Sequence, residues 1–356
     1  MYELSSRIKK IHKEIINTKY EIDRTSIALL DDDGYLRTYV DSTNKFQPLK
    51  HHSQKLSEAR SLNQLAISKE CRIIDNYSTL LSPPLNKANS WLLENKLLSS
   101  YTVPVYFSDR FLGFIFFNSR QEAYFSAQTI SKLQTALAQI KEEIISERLI
   151  FDKITSLNQF AEKTSEIRDI ETSKHCVRLR NLARIISTYV AKEVDISDYH
   201  IFQLIKFAPL HDIGKICTPD RILHKKGRLT AEEYQEIKQH VEHGLAIFDA
   251  ACDEMMRQHT VYGLIQDIIG CHHEMLDGSG YPKGLSGNQI NMFSRIVTVA
   301  DIFDALTSER PYKKAWSYRD ALNELSRMVD DNKLDPRCVS ALIEHFEGSL
   351  DMKSVA

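Results

Sequence analysis

The sequence has no long apolar run and no excess of basic charge. Its longest apolar stretch, Phe111–Phe117, is interrupted by Gly113 and is far shorter than the roughly 20 residues that a membrane-spanning helix needs. The formal charge is −2, whereas a general DNA-binding chain is usually basic. The first fourteen residues contain no apolar core and no cleavage-like site, which predicts that they are not a secretory signal. We therefore expect a cytoplasmic protein that binds neither membranes nor DNA.

Cysteine and glycine are also sparse. The six cysteines are scattered without a Cys-x-x-Cys pair, so we expect reduced thiols and no disulfides. No Walker-type glycine-rich loop is present, which excludes that kind of nucleotide site. Four of the twelve glycines lie between Gly278 and Gly287, which predicts a loop with unusual backbone demands. The length of 356 residues, 42% apolar and 26% charged, is typical of two globular domains.

The first 125 residues alternate between helical and strand-like patterns. Isoleucines spaced by three and four residues predict a helix over residues 1–20. Further helices are predicted over residues 52–68 and near Trp91. A sheet flanked by helices predicts an α+β domain over residues 1–125. The segments expected to be strands are residues 25–30, 35–40, 72–74, 100–106 and 111–118.

The last two strands of this region resemble the closing strands of a GAF domain. The matching residues are Tyr101-Thr-Val-Pro-Val-Tyr106, then Leu112-Gly-Phe-Ile-Phe-Phe117, followed by a helix. The resemblance rests on pattern and carries no catalytic residues. It implies a domain that binds a small regulator or one that only mediates dimerisation, and the sequence identifies no ligand.

A helix without glycine or proline is predicted over residues 126–160. Its apolar residues follow alternating steps of three and four, with Glu147 in one of the seam positions. Such a seam favours a signalling helix that pairs with its twin in a homodimer. The alternative is a single amphipathic helix that packs on its own chain. The seam residues are Ile130, Leu133, Leu137, Ile140, Ile144, Phe151 and Ile154.

The second half carries a series of side chains that bind metal ions. Neutral imidazole and carboxylate together suit Fe, Mn or Zn. Eight candidates exceed what one tetrahedral ion needs, which predicts a multinuclear site. Adjacent metal ions are suited to hydrolysing phosphate esters, so the pattern favours a metal-dependent phosphodiesterase. The candidates are Glu171, His175, His211, Asp212, His240, His272, His273 and Asp301.

Local spacing supports some of these candidates more than others. Glu171 and His175 are four residues apart, so both emerge from one helix face, although a surface pair would look the same. Lys215 lies one turn after His211 and Asp212 and can supply positive charge to a phosphate. Other side chains in the region have competing interpretations. His243 is a competing candidate beside His240, Asp304 is an acid in an apolar helix that requires a partner, and Cys176 and Cys271 are either thiolate ligands or buried inert thiols.

The order of these residues resembles the HD superfamily of metal-dependent phosphohydrolases, whose minimal pattern is His…His-Asp…Asp. The resemblance narrows to the HD-GYP subfamily through His272-His-Glu-Met-Leu-Asp277-Gly-Ser-Gly280-Tyr281-Pro282. His211-Asp-Ile-Gly-Lys215, Val299-Ala-Asp301-Ile-Phe-Asp304 and Arg310-Pro-Tyr-Lys313 extend the match. The resemblance implies an all-α catalytic domain over residues 161–356. Ser173 and Pro209 depart from the family pattern, and Pro209 is expected to kink the helix that carries His211.

The resemblance implies a role for each matched residue. His175, His211, Asp212 and Asp301 would hold one ion, and His240, His272 and His273 a second, with Asp212 bridging. An acid at Glu171 admits a third ion, so we expect two or three ions, iron or manganese. Asp212 and Lys215 would be catalytic. The residues expected to contact substrate are Lys215, Tyr281, Pro282, Arg310 and Lys313.

The activity implied by this family is hydrolysis of cyclic di-GMP to pGpG, and in many members further to GMP, by a hydroxide that bridges the metal ions. The N-terminal domain would regulate it. A different class of function stays open: a receptor that binds cyclic di-GMP and signals through partner proteins without turnover. Another cyclic dinucleotide or nucleotide is a third alternative. The sequence leaves the metal, the end product, the acid that protonates the leaving group and the oligomeric state undecided.

Overall fold

The computed structural model describes residues 4–17, 20–31, 33–49, 52–81, 83–168, 170–309 and 314–351. For residues 165–168, 170–173 and 347–351 only the backbone is described. The chain divides into two compact units, Tyr2–Leu149 and Ile150–Ala356. The division falls inside one long helix, Ala127–Arg168. The predicted division into residues 1–125, 126–160 and 161–356 stays a prediction.

The N-terminal unit is built on a six-stranded antiparallel sheet. The strands are β1 Arg24–Leu30, β2 Tyr35–Thr43, β3 Ser53–Lys55, β4 Arg72–Ile74, β5 Ser99–Phe107 and β6 Arg110–Ser119. Their order across the sheet is β3-β2-β1-β6-β5-β4. Each strand predicted from the sequence forms within two or three residues of its expected bounds.

Helices complete this unit, and one prediction here was wrong. The helix expected over residues 52–68 begins only at Arg60, because residues 53–55 pair with β2 as a short edge strand. On helix α1, Ile8, Ile11 and Ile15 are buried, as their spacing requires. The helices of this unit are α1 Leu4–Asn17, α2 Arg60–Ser68, α3 Tyr77–Leu80, α4 Lys87–Glu94 and the first part of α5 Ala127–Arg168.

The seam of α5 is buried within a single chain. Leu133, Leu137, Ile140 and Ile144 are each at most 5% exposed. These side chains are therefore unavailable for pairing with a twin helix. Their burial supports the alternative in which the helix packs on its own chain, and a homodimer stays a prediction.

The described part of the C-terminal unit is helical. Helix α7 ends at Phe207 and a 3₁₀ segment, Ala208–Cys217, follows it. Pro209 was expected to kink a helix, but it lies in the first turn of this 3₁₀ segment, where its missing N–H is not needed. Among the described residues no helix is both long and apolar enough to cross a bilayer. The helices are the rest of α5, α6 Ile170–Val190, α7 Asp198–Phe207, α8 Asp220–Leu223, α9 Ala231–Lys238, α10 His240–Ala251, α11 Glu254–Gln258, α12 Thr260–Cys271, α13 Met292–Thr307, α14 Tyr318–Asp330 and α15 Pro336–Asp351.

Candidate metal centre

The 3₁₀ segment Ala208–Cys217 lies at the centre of the helical unit, and α6, α10 and α12 pack against it. The segment comes closest to α10 at Gly214. A Cβ placed on Gly214 would lie 1.8 Å from the carbonyl oxygen of His240 and 2.4 Å from the amide nitrogen of Gly244. Only glycine permits this approach. It brings His211 and Asp212 next to the start of α10.

Seven of the eight predicted metal ligands can be described, and six of them form two overlapping clusters. One consists of His175, His211 and Asp212. The other consists of Asp212, His240, His272 and His273. Within each cluster the potential ligand atoms lie within 4.8 Å of one another. Asp212 belongs to both clusters.

The two carboxylate oxygens of Asp212 face different histidines. Its Oδ2 lies 3.1 Å from Nε2 of His211. Its Oδ1 lies 3.4 Å from Nε2 of His240 and 3.8 Å from Nε2 of His272. Burial opposes ionisation of Asp212, but His211 and Lys215 hold its pKa well below the usual range. The buried Oδ1 has no hydrogen-bond partner among the described residues, although buried acceptors are normally paired.

Four of the five histidines of the two clusters are oriented by hydrogen bonds at Nδ1. In His211, Nδ1 donates to the carbonyl of Ala208 at 3.0 Å. In His240 it donates to the carbonyl of Ile237 at 2.7 Å, and in His272 to that of Ile269 at 2.9 Å. A carbonyl only accepts hydrogen bonds, so each of these rings carries a proton on Nδ1 and presents a lone pair at Nε2 whenever it is neutral. Burial lowers the pKa of His211, but Asp212 raises it above the usual value, so in the absence of a cation His211 shares a proton with that carboxylate.

These lone pairs point at one another. Nε2 of His240 lies 3.3 Å from Nε2 of His272, and Nε2 of His175 lies 3.5 Å from Nε2 of His211. Burial lowers the pKa of His272 to about 3, so that ring stays neutral at ordinary pH. Facing lone pairs beside an unpaired carboxylate oxygen are the donor set that a divalent cation satisfies. The residues present therefore fit the implied metal ions.

Asp301, on α13, lies beside the first cluster and close to His175 on α6. The Oδ1 atom of Asp301 lies 3.6 Å from Nε2 of His175 and 3.9 Å from Nε2 of His211. His175 is oriented by Asp304, which accepts a hydrogen bond from its Nδ1 at 2.7 Å. Asp304 is 1% exposed and also accepts from Arg178 at 2.5 Å.

The pairing of Asp304 explains an acid in an apolar helix. Burial alone would raise the pKa of Asp304, but hydrogen bonds from His175 and Arg178 lower it to about 2. The sequence indicated that Asp304 needed a partner, but it did not identify His175 or Arg178. The only available signal was that Arg178 lies three residues after His175, on the same helix face.

We expect Asp304→Asn to weaken metal binding about 10- to 100-fold while the fold is retained, because a carboxylate that orients a metal-binding histidine contributes on that scale. The measurement is titration with Mn²⁺ against a competing chelator. Ser308→Ala is the matched control, since Ser308 Oγ donates to the same carboxylate at 3.2 Å without touching a predicted ligand. Unchanged affinity in Asp304→Asn would contradict this role.

The glycine-rich loop is held beside the second cluster by Glu274. This carboxylate is 2% exposed and accepts hydrogen bonds from the amides of Lys283 at 2.7 Å and Leu285 at 2.9 Å. The amide of Tyr281 donates to the carbonyl of His273, and the two rings stack with centroids 4.6 Å apart. The peptide bond between Tyr281 and Pro282 is cis. The loop thus places Tyr281 directly against a predicted ligand.

The other predicted site residues that the structure describes do not contribute ligand atoms to these clusters. The Nζ atom of Lys215 lies 2.5 Å from Oδ2 of Asp212, so in this structure its charge is directed at the carboxylate. Cys176 and Cys271 are buried, and burial raises their pKa values to about 12 and about 11, so both are protonated thiols. Neither thiol belongs to a metal cluster in the described part of the chain. The predictions for the side chain of Glu171 and for Arg310 and Lys313 lie outside the described residues.

Curated relatives match half or more of the chain. A "Cyclic di-GMP phosphodiesterase response regulator RpfG" from Xanthomonas campestris is 39% identical over 50% of this chain and 44% of its own length. A "Cyclic di-GMP phosphodiesterase" from Thermotoga maritima is 36% identical over 61% of this chain and 55% of its own length. A "3'3'-cGAMP-specific phosphodiesterase 2" from Vibrio cholerae is 31% identical over 62% and 42%. The chain spans about half the length of the curated relatives it matches.

Solved structures of GAF domains match this chain only distantly. The GAF domain region of a putative membrane protein from Geobacter sulfurreducens covers 40% of this chain and 95% of its own, with a TM-score of 0.32 and 14% identity. A GAF domain/HD domain protein from Geobacter sulfurreducens covers 42% and 99%, with a TM-score of 0.31 and 12% identity. Similarity at this level does not establish a shared family, so the GAF assignment stays a prediction.

A family model matches the second half of the chain. The model of the HD domain matches residues 147–338, a span that contains all six residues of the two clusters as well as Asp301 and Asp304. This span exceeds half of the 356 residues. The chain therefore belongs to the HD domain family.

Proposed function

We propose that this protein is a metal-dependent phosphodiesterase that hydrolyses cyclic di-GMP to pGpG and then to GMP. The observation that carries the proposal is Asp212, a carboxylate that is 11% exposed and whose two oxygens face two separate groups of histidine nitrogens. The names of the relatives from Xanthomonas campestris and Thermotoga maritima support the substrate. We further propose that the ions are iron or manganese, two or three per chain.

In this proposal His175, His211, Asp212 and Asp301 hold one ion, and His240, His272 and His273 hold a second together with Asp212. When bound, such ions polarise a phosphoryl oxygen and lower the pKa of coordinated water toward neutrality. The protein fixes the positions of most donor atoms before binding, because Nδ1 is already committed to a carbonyl or to Asp304 in four of the five histidines: His175, His211, His240 and His272. Less ordering is then needed when ions and substrate bind.

The substrate side of the site is formed by positive charge and by the glycine-rich loop. The ammonium of Lys215 lies against Asp212, and cations that neutralise Asp212 would release it to bind a phosphate oxygen. The ring of Tyr281 is fixed between His273 and Lys238, whose Nζ lies 4.9 Å from the ring centroid. Tyr281 and Pro282 would form the wall against which the substrate lies. Arg310 and Lys313 are proposed to bind its phosphates.

A second substrate is favoured by one specific observation. Three relatives from Vibrio cholerae are named 3'3'-cGAMP-specific phosphodiesterases, and they are 31–35% identical to this chain. The donor clusters of the site act on a phosphodiester and do not depend on the base. A mixed cyclic dinucleotide is therefore the alternative substrate.

The test is turnover of cyclic di-GMP and of 3'3'-cGAMP by protein purified without oxygen, with the metal content measured on the same sample. We expect kcat/KM for cyclic di-GMP to exceed that for 3'3'-cGAMP at least tenfold, with pGpG as the first product and two or more Fe or Mn per chain. A reversed ratio would assign the alternative substrate. Binding of cyclic di-GMP to a metal-filled protein without turnover would replace the enzyme with a receptor.

We also propose that the N-terminal unit is a GAF-like regulator. Its support is α5, one continuous helix from Ala127 to Arg168 that belongs to both units. A ligand-dependent change in the first unit would reach the second through this helix. Homodimer formation and signalling through partner proteins are parts of the same proposal.

A further inference from the structure

The sheet of the N-terminal unit forms one wall of a cavity of about 520 Å³. This volume lies within the roughly 300–1,000 Å³ of pockets that take small molecules. Much of the lining is apolar, including Leu36, Ile74, Leu92 and Phe116. Three arginines, Arg24, Arg60 and Arg72, interrupt this apolar lining together with the exposed acid Glu58, and of the three only Arg24 and Arg72 are shielded from solvent.

The two arginines differ in how their charges are balanced. Arg24 forms a two-pronged ion pair with Asp41, from Nε to Oδ1 at 2.7 Å and from Nη2 to Oδ2 at 3.0 Å. Its third nitrogen donates to Asn118 at 3.1 Å. All three of its nitrogens are thus engaged, and its charge is neutralised inside the protein. Arg24 therefore has little left to offer a ligand.

Arg72 has no such compensation. Its Nη1 donates to the hydroxyl of Ser61, and among the described residues it has no carboxylate partner. Its Nε is buried and has no hydrogen-bond partner in that part of the chain. Burial lowers the pKa of this guanidinium, as expected for a charge that has lost water without gaining an acid. Arg72 is half-buried, and a half-buried charge without an acid partner favours a bound ligand that supplies one.

Two hydroxyls on the same face of the sheet are also unsatisfied. Thr102 pairs with Arg72 in the register of β4 and β5, and Ser100 pairs with Ile74, so their side chains share the face that lines the cavity. Both residues are 0% exposed. Neither hydroxyl has a hydrogen-bond partner among the described residues.

We propose that this cavity binds a small organic anion, with a carboxylate or phosphate on Arg72 and an apolar body against the leucines and Phe116. Arg72 supplies two donors in a fixed fork that matches either anion. The site lies wholly within Tyr2–Leu149, so it stands or falls independently of the proposed hydrolase.

The test is isothermal titration of the full chain with phenylacetate, phenyl phosphate and the neutral phenylacetamide. We expect one of the two anions to bind at least tenfold tighter than the amide, and the stronger of the two identifies the anionic group. In Arg72→Gln this preference should disappear, whereas Arg72→Lys should keep part of it. Circular dichroism verifies that both variants are folded.

Arg60→Gln is the matched control, because Arg60 also lines the cavity but is exposed to solvent. It should leave the preference for the anion unchanged. Equal losses in Arg60→Gln and Arg72→Gln would assign binding to general surface charge and overturn the proposal. Absence of any preference for an anion over the amide in the unmodified protein would overturn it as well.

Discussion

Asp212→Asn is expected to abolish turnover of cyclic di-GMP and to remove most of the bound metal. An amide has a single acceptor oxygen, whereas the two histidine groups face two different oxygens of Asp212. Loss of about 4 kcal/mol of transition-state stabilisation corresponds to a fall in kcat/KM on the order of 10³-fold. The measurements are steady-state kinetics and metal content on the same preparation.

Asp330→Asn is the matched control for this variant. Asp330 is an exposed aspartate on α14 in the same unit, outside both clusters. It should keep the turnover and the metal content of the unmodified protein. If Asp212→Asn kept full activity with a full complement of metal, the shared-carboxylate arrangement would be refuted.

Gly214→Ala is expected to destabilise the helical unit and to disrupt the metal centre. The added Cβ would lie 1.8 Å from the carbonyl oxygen of His240, so the backbone of the 3₁₀ segment or of α10 must move. Overpacking against backbone costs about 3 kcal/mol. Since Gly214 follows Asp212 by two residues, the shift separates Asp212 from His240. Urea unfolding and metal titration measure the two effects.

Gly263→Ala provides the same chemical change at a site with room for it. Gly263 lies inside α12, and a Cβ there would meet nothing within 4 Å. Alanine should therefore stabilise the unit by about 0.5–1 kcal/mol through its better helix propensity, without altering metal binding. If the two variants behaved alike, the close packing of Gly214 on α10 would not be what holds the clusters together.

The helices and strands were largely predictable because their periodicity is local. The pattern of Ile8, Ile11 and Ile15 gives the buried face of α1, and the alternation in residues 100–118 gives the closing hairpin. The exceptions have tertiary causes. Residues 53–55 are polar enough to fit a helix, but pairing with β2 recruits them as an edge strand. The seam of α5 fits a coiled coil equally well, and only burial shows that its own chain covers it.

The choice of ligand residues could be proposed from the sequence, whereas their orientation could not. His211 and Asp212 are adjacent, and His272 and His273 are adjacent, so the motifs are visible in the chain. The proton on each Nδ1 depends on which carbonyl or carboxylate lies beside it. Likewise, Lys215 was expected to bind a phosphate, and only the fold shows that its ammonium group contacts Asp212.

The sequence contained the chemistry of this protein: the kinds of donor, their order and the glycine-rich loop, because side-chain type and local spacing are properties of the chain itself. The tertiary structure decided which donors meet. Residues as far apart as His175 and Asp304 become hydrogen-bond partners through the packing of α6 on α13. Asp212 lies between two histidine groups because Gly214 lets α10 approach, and such proximity between distant segments follows from packing, which no local pattern encodes.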